Sequence, residues 1–255
     1  ASVGYNKAVA STGNALGGGL YTQAKLTVTG AAIYNNSTYA VNSKAIGGGI
    51  YVKGAANIVQ GWMKYNTAKS ASDAAYGGGA YVRGDFTLNS SNVYKNEVTS
   101  VSPSSKSEGG GIRGLGAFVT AYSTIRDNTA HGFSAKGGGL DLTGNVVMIS
   151  SSTISGNKSE DSHAGLRFFT GGTPGTLFQI KNSTISGNQA AGSVGGLYVD
   201  AATARFYNST IAFNTSAGIN SGPGVRLRPQ APSMAVKMQS TLISNNTYGT
   251  FENDL

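Results

Sequence analysis

Residues 138–157, GGLDLTGNVVMISSSTISGN, contain the pattern that decides the fold, because each phrase in them returns along the chain at a nearly constant distance. A glycine-rich pair followed by an apolar residue recurs at Leu20, Ile50, Ala80, Ile112, Leu140, Leu166, Leu197 and Val225, in steps of 26 to 32 residues. An asparagine closing an apolar-x-x-Asn phrase recurs at Asn6, Asn36, Asn66, Asn96, Asn128, Asn157, Asn188, Asn214 and Asn245 or Asn246. Two independent markers with one period of about 30 residues define a solenoid, in which each unit buries its apolar face only against its neighbours.

Counting back from each asparagine distinguishes strand from helix. Positions ten, eight and three before it run from Leu26, Val28 and Ile33 to Val236, Met238 and Ile243, and 23 of the 24 are apolar, Thr120 being the exception. The first two are spaced by two, the period of a strand with one buried face. The segment after the glycines alternates likewise, with Ile50 and Val52 inward and Tyr51 and Lys53 outward. Each unit therefore supplies at least two short strands, with a third expected, and equivalent strands must pair in parallel because each returns to its place one unit later. The sequence predicts an all-β, single-domain parallel β-helix of about eight coils over residues 1–255. The handedness of parallel crossovers predicts a right-handed coil, and strand spacing predicts a rod on the order of 40 Å long. The glycine runs suit bends with positive φ or close backbone approach, and the asparagines are expected to stack amide on amide along the axis.

The phrases GGGL, GGGI and GGGA, with ISGN at Ile154 to Asn157 and Ile185 to Asn188, resemble the repeats of bacterial polymorphic outer-membrane proteins and related secreted β-helix proteins. Those repeats carry GGA before an aliphatic residue, and Phe-x-x-Asn; here a third glycine is usual and an aliphatic residue stands for Phe. The resemblance covers nearly the whole chain. It implies a secreted or bacterial cell-surface protein, either an adhesive or structural module or an enzyme of the polysaccharide-cleaving β-helix class.

Charged residues are only 12% of the chain, so its surface is polar and mostly neutral, and with no cysteine there is neither a disulfide framework nor a thiolate metal site. No apolar run reaches the roughly 20 residues that span a membrane. The chain starts inside a coil and closes just after an asparagine, so it reads as a mature or excised part of a longer parent protein. Two histidines about 30 residues apart do not suit zinc, no aspartate cluster or GGxGxD nonapeptide suits calcium, and no metal or other cofactor is expected. The net charge of +8 and pI near 9.6 come from dispersed residues without a nucleic-acid motif, which fits anionic glycans and not a nucleic-acid partner. The turn-rich insertion from Thr170 to Thr176 is expected to project, and the last coil, with Pro223, Pro229 and Pro232, to fray.

Two candidate surfaces follow. Outward positions stack as inward ones do, so Tyr21, Tyr51, Tyr81 and Arg113 form one column, with Lys53 and Arg83 two residues on. Such a face offers rings to sugars and cations to their carboxylates or sulfates. The segments after the asparagines gather Glu97 and Glu108, His131 and Lys136, and Glu160, Asp161 and His163 toward one edge. There EDSHAGLR departs from the glycine phrase and sets Arg167 beside Asp141. A catalytic site at Glu160, Asp161, His163 and Arg167 would suit a glycoside hydrolase, which needs two carboxylates. It would also suit a lyase, in which Arg167 or Lys136 neutralises a uronate and His163 removes the neighbouring proton. The leading expectation is an adhesive module binding a polysaccharide or cell-surface glycan; the alternative is an enzyme acting on an acidic one.

Overall fold

The computed structural model describes residues 1–218, 222–229, 234–249 and 251–252. They form a β-solenoid of parallel strands with no helix, each strand pairing with its equivalent one coil away. Ala56, for instance, lies between Leu26 and Phe86. The one antiparallel pair described joins Thr247–Tyr248 to Phe251–Glu252.

A full coil carries five strands, where at least two, with a third, were expected. In the second coil they are Ala32–Tyr34, Ser37–Ala40, Ala45–Ile46, Ile50–Val52 and Ala56–Val59. Their stacks are called the first to fifth sheets. The third sheet contains five strands among the described residues, from Ala15–Leu16 to Ser134–Lys136. Strands of two or three residues are too short to show alternation, so sequence periodicity could not find them.

The inward columns follow the predicted register. Phe86, Phe118, Val147, Phe178 and Ala204 stack in the fifth sheet, Met63, Val93, Ile125, Ile154 and Ile185 in the first, and all are buried in one cluster. Val236 and Met238 are instead exposed, because Ala235–Gln239 is the outermost described strand of its sheet. Thr120, the polar exception, is buried and its Oγ1 has no hydrogen-bond partner.

The asparagine column is a continuous ladder. Each Oδ1 accepts both the backbone N–H and the Nδ2–H of the asparagine one coil before, as at Asn36 to Asn66 (3.0 and 3.1 Å), and the ladder closes on Asn246. From Asn36 onward each Nδ2 also donates to a backbone carbonyl of the preceding coil, as Asn66 does to Ile33 at 2.9 Å. These contacts satisfy amides that would otherwise be costly to bury. A second ladder, absent from the sequence reading, runs through Ser91, Ser123, Ser152, Ser183 and Ser209, whose hydroxyls accept backbone N–H groups at 3.0 to 3.3 Å.

The glycine phrase forms the corner between the third and fourth sheets. Gly47 has φ +68°, and a Cβ on Gly48 would collide with the backbones of Thr67 and Gly78. Residues 171–175 of the insertion are exposed, while Thr170 and Thr176 at its feet are buried and bonded to Asp200 and to the Ala202 N–H. Pro229 ends the strand Val225–Pro229, whereas Pro232, on which the expected fraying also rests, lies outside the described residues. No helix among the described residues is long and apolar enough to cross a membrane.

Candidate functional site

The outward column of the fourth sheet reads Tyr21, Tyr51, Tyr81, Arg113, Asp141, Arg167, Tyr198 and Arg226, one residue per coil. Beside it across the glycine corner, the third sheet contributes Tyr76, Glu108 and Lys136. Side chains from the two sheets meet over the corner, as Tyr76 and Tyr81 do, and Glu108 and Arg113, and the column changes character along the axis.

The first three coils are aromatic. The rings of Tyr21, Tyr51 and Tyr81 stack at 5.4 and 5.3 Å with interplanar angles of 5° and 7°. Lys53 and Arg83 stand exposed alongside. Tyr51, although directed outward, is only 8% exposed because a ring lies on each of its faces. Tyr76 packs against Tyr81 at 6.0 Å, and burial, reinforced by the Glu108 carboxylate, pushes its phenol up to about 12.

The next coils hold a buried network of four charges. Arg113 reaches Glu108 at 3.2 Å and Asp141 at 3.3 Å; Arg167 grips both oxygens of Asp141 at 3.1 and 3.0 Å and lies 3.9 Å from Glu108. Asp141 is fully buried, so the Asp141–Arg167 contact is no exposed surface pair of small worth. Burial opposes the charge on Arg113, but Asp141 and Glu108 together outweigh it and raise its pKa. The guanidinium of Arg113, expected to meet a ligand, is therefore committed to these carboxylates.

Beyond the network lies a cleft of about 310 Å³ lined by Lys136, His163, Arg167, Tyr198, Arg226 and Arg228, with Phe169 and Ser193. Four cations surround it and no carboxylate is among its lining residues. His163 occupies the corner position that Gly137 holds one coil earlier, both with φ of 61°, and Val194 follows one coil later at φ 58°. Residues other than glycine rarely adopt this region, least of all a β-branched one. The His163 ring packs edge-on against Tyr198 at 4.5 Å, and its Nδ1 is buried without a partner. Burial, aided by the Arg167 charge, lowers its pKa from 6.5 to about 3.

The folded protein therefore binds fewer protons at His163 than the unfolded chain does between these values. Stability is lost as pH falls through 6.5 and levels off near 3. We expect acidification from pH 7 to 4 to cost the protein on the order of 3 kcal/mol more than it costs the His163→Asn variant. Urea denaturation at both pH values checks this, and parallel losses in the two proteins would refute it.

The expected edge cluster divides in two. Glu108, Lys136, His163 and Arg167 come to the corner, but Glu97, His131 and Glu160 sit on the outer face at the second sheet. There His131 Nδ1 lies 2.7 Å from Glu160, Nε2 lies 3.9 Å from Glu97, and the Gly132 N–H donates to Glu160 at 2.8 Å. The hydrogen bond from His131 lowers the Glu160 pKa, against a smaller opposing effect of burial. Asp161 lies between the groups, its pKa raised by burial despite nearby Lys136. The cleft beside Glu160 shares no lining residue with that beside His163, so Glu160 and His163 do not form one constellation. Tyr198, Arg226 and Arg228 were in the outward columns of the sequence but were not singled out as site residues, because nothing local marks them as neighbours of His163. No group of three or more potential metal ligands occurs among the described residues. No family model matches the chain, and neither does any curated protein or solved structure.

Proposed function

We propose that the protein is a glycan-binding β-solenoid of the polymorphic outer-membrane repeat kind, secreted or displayed at a bacterial surface in an adhesive role, and that it takes an acidic polysaccharide along the fourth sheet. The observation that carries this reading is the cleft lined by Lys136, Arg167, Arg226 and Arg228 without a carboxylate. Arg167 is held by Asp141, but Lys136, Arg226 and Arg228 have no ion pair among the described residues, and such a wall favours a ligand that brings its own negative charge. Half-buried Phe169 provides apolar surface for a sugar face, and the stacked tyrosines with Lys53 and Arg83 lie farther along the same sheet. Carboxylates of one chain could thus be met at the cleft and again at Lys53 and Arg83, with the committed Arg113 and Asp141 between. Calorimetry with an oligogalacturonate should show binding that weakens with salt, and Arg226→Ala/Arg228→Ala should weaken it at least tenfold. Undiminished binding by that variant would overturn the assignment.

A second reading, an acidic-polysaccharide lyase, draws on the presence in this cleft of an imidazole, His163, beside Lys136 and Arg167. Lys136 or Arg167 would neutralise the uronate carboxylate. His163 would take the proton on the adjacent carbon, and the glycosidic C–O bond would break as the ring double bond formed, its oxygen leaving as a hydroxyl after protonation. Ultraviolet absorbance of unsaturated products would identify this activity. The hydrolase alternative gains nothing from a cleft whose lining offers no carboxylate.

A further inference from the structure

The two residues between the apolar position and the ladder asparagine form a separate surface on the far side of the first sheet's buried face. They read Gly4-Tyr5, Tyr34-Asn35, Lys64-Tyr65, Tyr94-Lys95 and Arg126-Asp127 on the first five coils, then Ser155-Gly156 and Ser186-Gly187. Aromatic and cationic side chains thus alternate in a checkerboard over the early coils. Lys64 lies over the Tyr34 ring at 5.9 Å, Lys95 over Tyr65 at 5.7 Å and Arg126 over Tyr94 at 4.6 Å. Tyr5 and Tyr65 are 76% and 44% exposed.

The fold does not require these residues, because the same positions carry Ser-Gly on the next two coils. The second position of each pair has positive φ throughout, 61° at Tyr5, 57° at Tyr65, 53° at Lys95 and 63° at Gly156. Glycine is the unstrained choice there, so the early coils retain bulky side chains against a backbone preference. Phe213 returns one ring to the column later. Lys64 and Lys95 have no ion pair among the described residues, whereas Arg126 pairs with Asp127, leaving three cations against one anion.

We infer that this ridge is a second binding track for a linear acidic polysaccharide, lying along the solenoid axis on a different sheet from the cleft. Coils spaced by about 4.8 Å present a ring or a cation at an interval close to the length of one sugar ring. Tyr34, Tyr65 and Tyr94 each have a cation over one face, so ring and positive charge are offered together at each coil, an arrangement that suits a sugar carrying a carboxylate. The inference shares the acidic-glycan class with the proposed function but not its location. Two tracks on separate sheets would let one molecule bridge two polysaccharide chains.

The test uses immobilised polygalacturonate and three variants of the full chain: the ridge graft Lys64→Ser/Tyr65→Gly/Tyr94→Ser/Lys95→Gly, the cleft variant Arg226→Ala/Arg228→Ala, and both together. Because the graft copies residues that later coils already accommodate, its melting temperature should stay within a few degrees of the unmodified protein. We expect each set alone to lower apparent affinity at least tenfold, the combination to abolish binding, and only the unmodified protein to precipitate the polymer. Full affinity in the graft, with loss confined to the cleft variant, would overturn the ridge and leave the cleft. Loss confined to the graft would support the ridge and remove the cleft. Tighter binding of oligothymidylate than of polygalacturonate, lost on grafting, would overturn the ligand class, and absence of binding to both polymers would overturn both sites.

Discussion

Ile154→Asp is expected to prevent cooperative folding, while Thr143→Asp leaves the melting temperature within a few degrees of the unmodified protein. Ile154 is fully buried, pairing with Ile125 on one side and Ile185 on the other. Truncating such a side chain costs about 2–5 kcal/mol, and a carboxylate without a partner adds its desolvation. The sum is comparable with the roughly 5–15 kcal/mol that holds a whole domain together. Each coil also relies on its neighbours for burial, so the damage spreads in both directions. Thr143 faces outward and its Oγ1 accepts a hydrogen bond from Arg113 at 3.0 Å, so an aspartate there meets a guanidinium. Equal melting temperatures for the two variants would disprove the inward and outward register.

Asp141→Asn should lower the melting temperature by about 10 °C, corresponding to about 3–5 kcal/mol for breaking a buried ion network from one side. The amide keeps the shape of the side chain but removes the charge between Arg113 and Arg167, leaving two guanidinium groups to share Glu108. It should also weaken polysaccharide binding, since Asp141 fixes Arg167 at the cleft wall through both carboxylate oxygens. Arg228→Ala, which alters an exposed side chain, should weaken binding without lowering the melting temperature. A melting temperature for Asp141→Asn within 2 °C of the unmodified value, by differential scanning calorimetry, would show that the network carries little stability.

The inward columns and the asparagine ladder were legible because both repeat at intervals imposed by the coil, and a one-residue error would turn every apolar side chain to water. The charge network was half legible. Arg113, Asp141 and Arg167 share one outward column, but Glu108 reaches them from another sheet around the Gly109 to Gly111 corner, a contact no spacing reveals. The division of the edge cluster escaped notice for a related reason. The segment from Glu97 to Glu108 holds two strands, Glu97–Ser100 and Lys106–Glu108, that turn to face different directions. The burial of Tyr51 depends on rings one coil either side, which alternation along its own strand does not register. The ridge pairs were present in every apolar-x-x-Asn phrase, where the two intervening residues served only as spacing.

The asparagine ladder gives the rod a direction. At all eight steps from Asn6 to Asn246 the Nδ2 donor belongs to the earlier coil and the Oδ1 acceptor to the later one, so the side-chain dipoles lie head to tail without a reversal. Dipoles in series reinforce one another in a low-dielectric interior, with their positive ends toward the C-terminal coils. A polysaccharide has a reducing and a non-reducing end, and lying along either face it would meet an axis with unlike poles, so its two orientations on this protein are not energetically equivalent.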